Sequence, residues 1–172
     1  MVNYMAMFIL TQSLLQNLLR SSDPRIVLVS ADLYGKGEFD TNVTPYGKKF
    51  GRIRTYADSK LCGLLFMKKF IEELPIEEKD KITVNAIHPG VYRTNLGITQ
   101  SILGMVIRGV KILFPSAKNS FKGIINLALS SDKDKIGNGN YYYKSKIKEF
   151  NKKVEDRDNQ EKLWKISKEL TQ

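Results

Sequence analysis

Apolar residues in this chain follow two rhythms that alternate: runs spaced three and four apart, and short unbroken runs of Ile and Val. Leu10, Leu14, Leu15, Leu18 and Leu19 recur at helical spacing, and "SSDP" then stops that helix. The run "RIVLVS" at 25–30 predicts a buried strand. Glycines, charges and Pro45 dominate 31–54, which reads as a loop, and a second helix is expected from Thr55 to Leu74, ended by Pro75. "KITVNAIHPG" gives a second buried strand closed by a Pro-Gly turn. Downstream, "SAKNSFKGIINLALSS" predicts a helix with Ser116 as cap, "GNGNYYY" a short strand, and "DNQEKLWKISKELTQ" a closing helix. Strands without polar alternation, separated by helices, describe a parallel sheet covered on both faces, an α/β doubly wound architecture. No repeat or linker divides it, so 1–172 reads as one domain.

Composition narrows the chemistry. At 172 residues with 42% hydrophobic content, the chain can bury a core. Its one cysteine, Cys62, lies in an apolar run and reads as a buried, inert thiol in a reducing compartment. His88, the only histidine, has no partner at metal-ligand spacing, so no metal is assigned. The charge of +10 and the segment "YYYKSKIKEFNKK" raise nucleic acid as a partner. The following segment mixes both signs, which favours a solvated basic surface instead. "MVNYMAMFILTQSLLQNLL" lacks a basic region and a cleavage site, so no signal peptide is expected there. "SILGMVIRGVKILF", from Ser101, is too short to span a bilayer and reads as a packed helix, an interfacial helix or a flap over an apolar substrate.

"TYADSK" puts Tyr56 and Lys60 four apart, on one helical face. A neighbouring ammonium stabilises phenolate, and moving a tyrosine from about 10 to about 7 takes roughly 4 kcal/mol. A unit charge at about 4 Å in an effective dielectric of 20 supplies that much. The pair is therefore chemically sufficient inside a closed site, although the spacing alone is common in helices.

Four stretches together are more specific. "VNYMAMFILTQSLL", "RIVLVSA", "TYADSKLCGLLF" and "VNAIHPGVYRT" resemble, in order, a helix, a strand, the Tyr/Lys helix and a strand-turn of the short-chain dehydrogenase/reductase family. They are most similar to its retinol-dehydrogenase-like branch, which includes the WW-domain oxidoreductases. The resemblance implies a Rossmann-like fold and an NADP(H)- or NAD(H)-dependent alcohol/carbonyl oxidoreductase with a lipophilic, retinoid-like substrate. It implies that Tyr56 is the general acid/base and that Lys60 binds the nicotinamide ribose. Asn3 would support a proton-relay water, and Pro89, Gly90, Val91 and Thr94 would form the turn that cradles the nicotinamide and its phosphates. From the single cysteine and the segment at Ser101, the expected location is the cytoplasm, either free or peripheral to an intracellular membrane.

Two departures qualify this. The family's substrate-orienting serine falls at Ala31, 25 residues before Tyr56, with Ser30 one place early. Neighbouring strand residues face opposite ways, so Ser30 serves that role only if the strand end is irregular. The Gly-rich dinucleotide turn and the "NNAG" strand have no counterpart here. The expected sheet is thus incomplete, with an exposed edge, weak NADP(H) binding by the chain alone and a tendency to form a homodimer. The competing expectation is an inactive remnant that works only through protein or membrane-surface contacts.

Overall fold

The computed structural model describes residues 2–90 and 121–171, and within them four strands form one sheet in the order β1-β2-β3-β4. β1 (Arg25–Val29), β2 (Thr83–His88) and β3 (Tyr141–Tyr143) run parallel, with Val27 opposite Asn85 and Ile87 opposite Tyr142. β4 (Lys146–Ile147) returns antiparallel beside β3. Two residues are too few to carry a sequence period, so β4 was not expected. The turn that creates it places Lys144 at φ 58°.

Four helices cover the sheet: α1 (Val2–Leu18), α2 (Arg52–Glu73), α3 (Phe121–Leu129) and α4 (Arg157–Glu169). Alternation along the strands sorts them into two layers. Ile26, Leu28, Val84, Ala86 and Tyr141 face the core shared with α1, α2 and α4, while Val27, Ile87 and Tyr142 face α3. The architecture is α/β with helices on both faces of a largely parallel sheet.

The larger core is aromatic. Phe8 of α1, Phe66 of α2 and Trp164 of α4 meet with ring centroids 5.4–6.0 Å apart. The Tyr4 hydroxyl is 2.6 Å from Ser167 Oγ, joining α1 to α4. Lys69 of α2 bridges Glu73 on its own helix and Glu161 on α4, each at 2.7 Å. α2 starts three residues earlier than expected, at Arg52, and stops before Pro75 as the proline requires.

The face of α1 differs from the leucine pattern. Its buried residues are Tyr4, Phe8 and Thr11, whereas Leu10 and Leu14 are exposed with Val2 and Ile9. The aromatic side chains win the inner face because they fill the gap beneath Phe66 and Trp164. β1 has no strand on its outer side among the described residues, and Val29 there is 48% exposed. No described helix is long and apolar enough to cross a membrane. Ser101–Phe114, Ser116, Val91 and Thr94 lie outside the described residues.

Candidate functional site

The strand-to-loop junction after β1, the middle of α2 and the start of α1 converge at one end of the sheet. Lys60 reaches from α2 to donate Nζ to the Val29 carbonyl at 2.8 Å, and the same Nζ lies 5.5 Å from the centroid of the Tyr56 ring. Tyr56 and Asn3 line an open cleft of about 360 Å³ with Val2, Phe50, Arg52, Thr55 and Ser59, its exposed surface mostly apolar but for the Arg52 guanidinium and a few hydroxyls and amides. Asn3, Ser30, Ser59 and Lys60 line a small, partly open cavity that shares Asn3 and Ser59 with the cleft. Gly63 lies on that cavity, and a Cβ there would come within 2.8 Å of Met7 Cε, so the missing side chain lets α1 sit close to α2. The structure thus brings Asn3, Ser30, Tyr56 and Lys60 together.

Their electrostatics differ from the simple pair. Burial raises the Tyr56 pKa above its ordinary value and lowers that of Lys60. Each side chain is partly withdrawn from water, which penalises its charged form, and the ammonium is directed at the Val29 carbonyl. The expected acidification of the phenol is absent in this chain, and both groups shift toward neutrality. Burial also pushes the Cys62 thiol up to about 12, which leaves it no nucleophilic role.

Ser30 is turned into the helix layer and is 6% exposed, with its backbone N–H donating to Ile87 O at 2.7 Å. Ala31 is extended, at φ −150° and ψ 142°, and caps the 3-10 turn Asp32–Lys36. The β1–β2 pairing continues to Ser30, which lines the small cavity and not the Tyr56 cleft. Gly90 follows Pro89 at φ +106°, a conformation that favours glycine, and its N–H points to His88 Nδ1 at 3.4 Å.

Sequence reasoning missed a network beside this site. Asp32 accepts from Tyr141 Oη at 2.7 Å and from Lys148 Nζ at 2.8 Å. Burial would raise the Asp32 pKa, but these two hydrogen bonds and the lysine charge outweigh it and hold the carboxyl below its ordinary value. Tyr141 and Tyr142 of the basic aromatic segment are buried strand residues, not a stacking platform, and only Tyr143 of the three is exposed. The signal was available in principle: an acid three residues past the end of a strand, where it is partly buried, has to find a cation or donors.

The chain is 33% identical over 174 residues to retinol dehydrogenase 14 of Mus musculus, covering 96% of this chain and 50% of that protein. It is 30% identical to mouse retinol dehydrogenase 13 (98% and 52%) and 30% identical to polyprenol dehydrogenase of Danio rerio (96% and 52%). The chain spans about half the length of the curated relatives it matches. No protein-family profile matches it. A crystal structure of an uncharacterized Mycobacterium Paratuberculosis protein superposes with a TM-score of 0.64 at 21% identity, over 98% of this chain and 56% of that one, a likeness of fold. The chain belongs to the short-chain dehydrogenase/reductase family. Within that family it falls in the retinol-dehydrogenase-like branch.

Proposed function

We propose that this chain carries the substrate-side chemistry of an NADP(H)-dependent oxidoreductase that interconverts a lipophilic alcohol and its carbonyl. The observation that carries the reading is the placement of the Tyr56 phenol on an apolar cleft with the Lys60 ammonium on the same face of α2, beside the end of β1. Ligands of open α/β sheets bind outside the carboxyl ends of the strands, which is where this cleft lies. The relatives named for retinol and polyprenol both concern long apolar alcohols, which supports the substrate class.

The donor set fits one end of a nicotinamide dinucleotide. Lys60 and Tyr56 offer an ammonium and a phenol to ribose hydroxyls, with the Pro89-Gly90 turn nearby in sequence to Val91 and Thr94. The sequence has no Gly-rich turn for the pyrophosphate, and the preference for NADP over NAD rests on the resemblance alone. The bound nicotinamide would supply or accept the hydride. Tyr56 is protonated at neutral pH, as an ordinary phenol is, and would give its proton to a carbonyl oxygen, although burial, which raises its pKa, makes it a weaker acid. Asn3 lies within the same cleft and would help hold water or substrate.

A second reading is a chain that acts only through contacts with a second copy, another protein or a membrane surface. The exposed apolar residues Val2, Ile9, Leu10 and Leu14 on α1 and the edge of β1, which no strand among the described residues covers, favour it. Oxidation of NADPH by the parent chain with a long-chain aldehyde separates the two. Turnover that falls by about 10² to 10⁴ in Tyr56→Phe supports the enzyme. No turnover by the parent supports the contact reading.

A further inference from the structure

We propose that His88 is a positioning residue for the Pro89–Gly90 turn: its ring Nδ1 accepts the Gly90 N–H and so fixes the bend offered to a nicotinamide dinucleotide. The histidine itself is held first. His88 closes β2, its carbonyl accepts from the Lys144 N–H at 2.9 Å, and its ring centroid lies 5.4 Å from that of Tyr143, so backbone and side chain are both anchored on the β3–β4 hairpin. Pro89 keeps the residue before it extended and fixes its own φ, which leaves Gly90 as the first residue that can turn the chain. Gly90 takes φ +106°, and its N–H reaches back to His88 Nδ1 at 3.4 Å. A neutral imidazole that accepts at Nδ1 carries its proton on Nε2.

Such an acceptor exists only in the neutral ring, since imidazolium donates from both nitrogens. Among the described residues, the charged groups that face it are Asp32, beyond the end of β1, which favours the protonated form, and Lys144 and Lys148 of the hairpin, which oppose it. Burial is the largest influence and acts with the lysines, so the His88 pKa lies below its ordinary value and the ring is neutral at neutral pH. Protonation would set Nδ1–H against Gly90 N–H, donor against donor, and release the turn. The bend is thereby tied to one titrating side chain.

The inference rests on the proposed dinucleotide site, but its first test needs no ligand. His88 is the only histidine in the chain, so its ring nitrogens give one set of ¹⁵N NMR signals. The expected result is the Nε2–H tautomer at neutral pH, with the Gly90 amide resonance following the same titration curve as the ring, centred below about pH 6.5. The NADPH dissociation constant, read from nicotinamide fluorescence above neutrality, should rise about two- to fivefold in His88→Leu, the worth of one long and weak hydrogen bond. His88→Asn, whose side chain can accept from an N–H two residues on, should restore the affinity and lose the acid-side weakening of the parent. An Nδ1–H tautomer, or a Gly90 amide indifferent to the ring's titration, would overturn the inference, as would a leucine variant that binds NADPH as tightly as the parent. Coupled titration of ring and turn in a chain with no measurable NADPH binding would remove the proposed function and leave His88 as the residue that holds the turn.

Discussion

Tyr56 is held neutral by its surroundings, and that has a direct optical consequence. Because burial raises its pKa, the parent spectrum minus that of Tyr56→Phe should show no tyrosinate absorbance until the pH passes about 10. A phenolate appearing near pH 7 would mean that the ammonium dominates. Ala31 offers the opposite kind of test. Its backbone is extended, as any residue can be, so Ala31→Ser should fold and place a hydroxyl where the family has its oxygen-orienting donor. Carbonyl reduction by the proposed enzyme should then rise by about 10² to 10³, the range that one such donor contributes. Spacing in the sequence was enough to place Tyr56 and Lys60 on one face, and the count of 25 residues to Ala31 was readable there too. The direction of the pKa shifts was not, because it depends on how far each group is withdrawn from water, which spacing does not encode.

At the scale of elements, the Ile- and Val-rich stretches "RIVLV" and "TVNAIH" announced their strands: β2 is buried on both faces and needs no polar alternation, while β1 is only partly covered and leaves Val29 exposed at its end. The inner face of α1 was not legible. Its leucines and aromatics are both apolar, so periodicity alone could not tell that Tyr4 and Phe8 go inward. That aromatic layer predicts the largest loss: Trp164→Ala should cost about 3–5 kcal/mol, read from urea unfolding followed by circular dichroism. Gly123 makes a sharper test of packing. A Cβ there would lie 2.2 Å from the Lys144 carbonyl oxygen and 2.8 Å from Ile87 Cδ1, so Gly123→Ala should destabilise by about 1–3 kcal/mol in the same assay. An alanine there without cost would show that α3 does not rest on the hairpin.

Across the whole molecule, ion pairs tie distant segments and set how stability responds to pH. Its bond to Lys69 holds the Glu73 carboxyl below its ordinary value, and Asp32, where burial is outweighed by Lys148 and Tyr141, is lowered too. Carboxyls lowered in the folded state stabilise it above their unfolded pKa and lose that contribution as pH falls through the folded value. Lys69 is raised, chiefly by its bonds to Glu161 and Glu73, so its contribution is present below its ordinary value and is lost at strongly alkaline pH. The urea midpoint should therefore begin to fall below about pH 6.5, where the unfolded chain protonates His88 while burial holds the folded imidazole below its ordinary value, and fall further below about pH 4, with a shallower limb there in Lys69→Met. The α/β class could be read from the alternation of rhythms in the sequence. The pairing of Asp32 with Lys148, 116 residues apart, could not, because only the folded sheet brings β1 and the β3–β4 hairpin to the same end.

The bare backbone of Gly123 has a mechanical consequence. With no side chain at Gly123, α3 packs straight onto the backbone of the hairpin turn at Lys144, and Lys148 beyond that turn grips Asp32, the next residue after Ala31. The turn that bears α3 and the carboxylate that follows the end of β1 are thereby joined through one short stretch of hairpin.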